Sequence, residues 1–193
     1  MEQAQQQYLQ NSIIGALELA LFMKQGAQRF YGDINAMWRS FIIAFALMPL
    51  SFYMLYLSQP DRPEIAGIET SQMFTLFFVK GLVTMALNLG VIYIFARAYD
   101  RLDKFYLTIT AANWSSIFPT LLFLPVMASY ALGWYSWDDI YGISIVFAIY
   151  GYFIAGFMLT HCLRIPWEMA GFLTIVLLAI NETGFDIIYW IAS

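Results

Sequence analysis

The sequence predicts an all-α protein, a polytopic transmembrane helical bundle of five spans with an N-terminal interfacial amphipathic helix. Three observations lead there. Of 193 residues, 61% are hydrophobic and only 11% are charged, against about 45–50% and about 25% in soluble domains. A soluble fold of this size has too little interior to hide so much apolar side chain. Apolar windows recur along the chain, each near the roughly 20 residues of a bilayer crossing. The connectors between them are short and hold most of the charge. One membrane domain, 1–193, is the expected organisation.

The elements follow in order. Residues 8–31 hold a short apolar stretch interrupted by Glu18 and Lys24. Ile13, Ile14, Leu17, Ala20 and Leu21 recur at three-and-four spacing there, the pattern of a helix lying in the membrane interface. The first span is 37–57, with Pro49 inside it predicting a bend. A polar loop with two prolines, 58–71, leads to the second span, 72–96, which carries Lys80 and Asn88. RAYDRLDK, 97–104, is a charged connector. The third span, 105–132, is overlong and holds Pro119 and Pro125. It must tilt, kink or unwind near Ser115–Pro119. An aromatic turn, 133–139, precedes the fourth span, 140–160. The fifth, 170–191, follows Pro166, a residue suited to open a helix.

Charge placement orients the bundle. With the N-terminus in the cytoplasm, Lys24, Arg29, Arg39, Arg97, Arg101, Lys104 and Arg164 all fall inside, and only Arg62 falls outside. That is the positive-inside bias. The expected location is a bacterial inner (plasma) membrane, with the C-terminus outside. Trp134, Trp137, Trp167 and Trp190 sit near span ends and read as an aromatic belt.

Composition also excludes function classes. Nine Lys and Arg against thirteen Asp and Glu, a net charge of −4, leave no basic footprint for nucleic acid. The single cysteine, Cys162, forms no intrachain disulfide and no Cys-based metal or redox motif. His161, Cys162 and Glu168 match no metal-ligand spacing. No phosphate-binding or nucleophile motif is present. No cofactor, no metal and no catalytic residue are therefore expected. MEQAQQQYLQ, the N-terminal stretch, lacks the basic region of a cleaved secretory signal, so the mature chain is expected to begin at or near Met1.

The candidate site is an intramembrane polar network of Lys80, Asn88, Asn113, Glu182 and Asp186. Lys80 and Glu182 lie at matching depths, about 12 and about 14 Å from the outer ends of their spans at 1.5 Å per residue. Asp186 follows Glu182 on the same helical face. Lys80 is expected to face Glu182 and Asp186, since pairing offsets the cost of charge in hydrocarbon. Asn181 is expected to point about 100° away from Glu182. Thr84 and Asn88 continue the Lys80 face, and Asn113, Ser115 and Ser116 form a second polar layer. Ala86–Gly90, Ala112–Ser116 and Gly151–Ala155 are small pairs spaced for close helix contact.

FYGDINAMWRSF at 30–41, the RAYDRLDKFY connector at 97–106 and the Asn113–Trp114 step accompany a hydropathy pattern that resembles the Yip1-type integral membrane family. The likeness covers roughly residues 10–192. That family's eukaryotic members carry Asp-Leu-Tyr-Gly-Pro entering the first span. Here the nearest match, Asp139-Ile140-Tyr141-Gly142, lacks the proline and enters the fourth. The resemblance implies a five-span fold and a non-enzymatic role as scaffold or accessory subunit. Eukaryotic members act in vesicle trafficking and bind small GTPases. The alternative reading is a small transporter, channel or proton-coupled component using the Lys80/Glu182/Asp186 network. Membrane lipids, and a second copy or a partner membrane protein, are the expected partners.

Overall fold

The computed structural model describes residues 2–57 and 69–192. The polar loop with Arg62, and the side chain of Asp186, lie outside the described residues.

The first helix, α1 (Glu2–Ala20), ends where Phe22 enters the left-handed region at φ 56°. Met23 N–H then donates to Glu18 O and Phe22 N–H to Leu19 O, at 2.8 and 3.0 Å. This pair of bonds is the Schellman stop, usually built on glycine. Here the ring of Phe22 packs edge-on against Tyr150 and Phe157, which offsets the backbone cost. A 3-10 segment, Lys24–Arg29, folds back along α1. Gly15 and Gly26 allow the close approach: a Cβ on Gly26 would lie 2.6 Å from Gly15 O. Arg29 clamps the hairpin, donating from Nε and Nη2 to Glu18 at 2.6 Å each.

The segment predicted as one helix over 8–31 is therefore a helical hairpin. Its buried face is Ser12, Ala16 and Leu19, while Ile13, Leu17 and Leu21 point outward. Small residues face the protein because the hairpin is tight. The larger apolar ones remain for the surroundings.

Helix α2 (Ile34–Leu57) opens on Asp33, whose Oδ1 accepts from Ala36 N–H at 2.9 Å. It contains Pro49. Helix α3 (Thr70–Ala98) is 29 residues long. A 3-10 turn, Leu102–Lys104, leads into α4 (Phe105–Ser115) and α5 (Ile117–Ala131). The overlong third span is thus two helices, broken only at Ser116. Pro119 offers no N–H to the Ser115 carbonyl one turn back. At the break, Ser116 Oγ donates to the Asn113 carbonyl at 2.7 Å.

Helix α6 (Trp137–Cys162) starts with a capping box. Ser136 and Asp139 each bond the other's backbone N–H, at 3.3 and 2.9 Å. Helix α7 (Trp167–Ala192) follows Pro166.

Among the described residues, four helical stretches are long and apolar enough to cross a membrane: Ile34–Met54, Ser71–Ala98, Leu102–Ala131 and Trp137–Cys162. Apolar side chains look outward on α2, α3, α6 and α7; Ile42, Ile94, Phe153 and Ile175 are each more than 60% exposed. Such a surface suits lipid rather than water.

The long helices close a ring. α2 packs on α3, α3 on α7, α7 on α6, α6 on α5, and the α4–α5 pair returns to α2. The α1 hairpin packs against α4, α5 and α6. Its Tyr8, Ala16 and Leu19 join Trp114, Leu159, Cys162 and Leu173 in one buried cluster. Trp114 Nε1 donates to Tyr8 OH at 3.3 Å, and Tyr8 OH donates to Ala36 O at 3.1 Å. This cluster fills the ring at the end that carries Lys24, Arg101 and Arg164, called here the basic end.

Candidate functional site: a polar cavity inside the helix ring

Inside the ring, beyond the Tyr8–Trp114 cluster, lies a cavity of about 880 Å³. Helices α2 through α7 all contribute to its wall. Most of the wall is apolar, as a membrane interior requires. The exceptions are concentrated. α3 supplies Lys80, Thr84 and Asn88; α4 and α5 supply Asn113, Ser115 and Thr120; α7 supplies Asn181 and Glu182.

Four of the five residues expected to form the polar network therefore line one cavity: Lys80, Asn88, Asn113 and Glu182. The fifth, Asp186, lies on α7, with its side chain outside the described residues.

Lys80 has a partner that was not expected. Lys80 Nζ donates to Asn181 Oδ1 at 2.7 Å. Asn181 Nδ2 in turn points to Glu182 Oε1 at 3.5 Å, the long end of hydrogen-bond range. An amide thus stands between the ammonium and the carboxylate of Glu182. On its way to Asn181, Lys80 passes Gly184. Lys80 lies across it so closely that a Cβ on Gly184 would sit 3.0 Å from Lys80 Cε. The groove left by the missing side chain leads to Asn181, three residues back on the same face. Asn181, expected to point about 100° away from Glu182, is the residue that meets Lys80.

The second polar layer is split by the break at Ser116. Asn113 Nδ2 donates to Ser40 Oγ at 2.8 Å, tying α4 to α2. Ser40 is fully buried and donates onward to Met37 O at 2.7 Å. Thr108 and Thr110 are also buried, but their hydroxyls bond the carbonyls of Lys104 and Tyr106 in the preceding turn. They face the protein core and do not line the cavity. Ser115 Oγ and Asn88 Oδ1 are buried in the cavity wall with no hydrogen-bond partner among the described residues. Buried polar atoms in proteins are seldom left so.

Ser51, Thr120 and Tyr152 complete the polar lining, and sequence reading did not single them out for this site. Each is a single polar residue in an apolar run, so only their convergence gives them meaning. Of the small pairs, Gly151 meets Pro119 across α6 and α5, a Cβ there falling 3.6 Å from Pro119 Cβ. Ala86 and Gly90 instead face outward, and nothing lies within 4 Å of a Cβ on Gly90. That pair makes no helix contact in the bundle.

His161 packs against Phe157 with ring centres 4.3 Å apart and the rings tilted, and Cys162 is buried in the core. Among the described residues, no three His, Cys, Asp or Glu side chains gather as a metal site would need.

The chain matches no protein-family model, no curated protein and no solved structure. Its functional reading rests on the cavity.

Proposed function

We propose that this chain is a small transporter, channel or proton-coupled component that admits a polar ligand or ion to the centre of the membrane. The observation that carries the reading is the cavity wall, where Ser115 Oγ and Asn88 Oδ1 have no partner among the described residues and Lys80, Asn181 and Glu182 line the same space. Ionisable and amide groups in hydrocarbon are costly, and lining a shared cavity is how membrane pathways use them. A volume of about 880 Å³ also falls in the range of small-molecule sites, about 300–1,000 Å³.

In this reading α7, 26 residues long, is the fifth span, and the α1 hairpin lies at the cytoplasmic interface of a bacterial inner membrane. Lys80 holds the charge balance of the path, Asn181 relays between it and Glu182, and Asn88 and Asn113 extend the polar track. The second reading is a Yip1-like scaffold or accessory subunit without enzymatic activity. The cluster sealing the basic end around Trp114 favours it, because a plugged ring conducts nothing in that state.

Proteoliposomes decide between them. Purified protein should carry protons or small ions, and Lys80→Met should reduce that flux by about tenfold or more while the protein stays monodisperse in detergent. Flux at the level of empty liposomes for the unmodified chain would leave the scaffold reading standing.

A further inference from the structure

We propose that a second pocket, at the basic end, binds the phosphate group of an anionic phospholipid. It opens where the 3-10 arm of the α1 hairpin meets the start of α4 and the end of α6, and its volume is about 440 Å³. Lys24, Lys104, His161 and Arg164 line it, with Gln28 and Thr160 beside them. Among the described residues, no carboxylate lines it. Asp103 pairs with Lys104 at 2.8 Å from outside the lining and is well exposed, so it leaves a net positive pocket.

The pocket is assembled from three separate parts of the chain, each holding a cation by a local device. Lys24 begins the 3-10 arm that the Gly15–Gly26 contact presses against α1. Arg164 sits just past the end of α6 with φ 57°, a conformation side chains disfavour. Arg101 Nε donates to the Arg164 carbonyl at 3.4 Å and steadies that turn. Lys24 and Arg164 gain from an anion seated between them and Lys104, to which the imidazole and the Thr160 hydroxyl can add hydrogen bonds.

The surroundings name the anion's carrier. Lys24 follows directly on Leu21, Phe22 and Met23, which are exposed at 59%, 44% and 40%. Trp167, 72% exposed, marks the same level at the start of α7, as interfacial tryptophans do. A phosphate in the pocket therefore has apolar surface at its side, where acyl chains can lie. A free phosphate would leave that surface uncovered. Basic pockets between helices at a membrane face are suited to such headgroups. This pocket and the central cavity share no lining residue, so the two assignments can fail separately.

The test uses the full chain in neutral detergent, with phosphatidylglycerol, phosphatidylcholine or inorganic phosphate added, and reads the shift in unfolding temperature. Phosphatidylglycerol should protect saturably and phosphatidylcholine should not. Lys24→Gln with Arg164→Gln should weaken that protection on the order of twentyfold, at about fivefold per charge. Arg97→Gln, an exposed cation at the same end but outside the pocket, should change it by less than about twofold. If the double variant does not fold, Lys24→Gln alone, at an exposed position, should still show about fivefold. Equal protection by phosphatidylcholine, or equal loss in Arg97→Gln, would overturn the site. Inorganic phosphate protecting as well as phosphatidylglycerol, through the same residues, would overturn the lipid as its occupant.

Discussion

At the scale of single residues, the Lys80 ammonium donates to the Asn181 side chain across α3 and α7. A hydrogen bond from a charged donor contributes about 1.5–3 kcal/mol in proteins; within membranes measured values are smaller, averaging about 0.6 kcal/mol. Asn181→Leu removes one acceptor of the Lys80 ammonium. It should lower unfolding free energy in mixed micelles by about 1–3 kcal/mol. Glu182→Gln, which keeps the Asn181 amide in place, should cost less than half of that. The reverse order would mean that Lys80 is held chiefly by Glu182. The depth match of Lys80 and α7 was legible in the sequence; the contact with Asn181 beside Gly184 was not, because it depends on space between two helices.

At the scale of elements, the α1 hairpin is held by one charge pair and one glycine contact. The Arg29 guanidinium, bonded twice to Glu18, holds that carboxyl below the usual carboxylate range. The sign follows directly. The paired state is stabilised at any pH above the ordinary carboxylate value, and the stabilisation is lost as pH falls through the lowered one. Glu18→Gln should therefore unfold at a lower temperature than the unmodified chain at pH 7. The gap should close as pH drops from the ordinary carboxylate value through the lowered one. A gap independent of pH would assign the effect of Glu18 to packing alone. The break between α4 and α5 belongs to this scale too. The two prolines and the excess length announced a kink. The residue that absorbs it is Ser116, whose hydroxyl bonds the Asn113 carbonyl.

For the whole molecule, the ring of α2 to α7 separates a filled basic end from a cavity beyond it. Successive long helices run in opposite directions, so the connectors alternate between two faces. Tyr135 and Leu102, 57% and 43% exposed, lie in connectors at opposite ends of the bundle. The native thiol, Cys162, is buried and should stay silent to labelling. Tyr135→Cys should react with a membrane-impermeant maleimide on intact cells. Leu102→Cys should react only after the cells are opened. Both reacting from outside would refute the alternating arrangement, and the opposite pattern would invert the proposed orientation.

Sequence alone determined the solvent of this protein and the rough ends of its helices. Those depend on summed hydropathy and on local signals such as Pro166, Asp33 and the Ser136–Asp139 box, each complete within a few residues. It also drew attention to Lys80, Asn88, Asn113 and Glu182, because polar groups in apolar runs are conspicuous. Tertiary structure decided what these residues meet. The fold of 8–31 into a hairpin depends on Gly15 meeting Gly26, eleven residues on. The cavity depends on the order in which helices close a ring. The partner of Lys80 depends on a gap on another helix, 101 residues away in the chain. Contacts at such separations are set by packing geometry, which a helical period cannot encode.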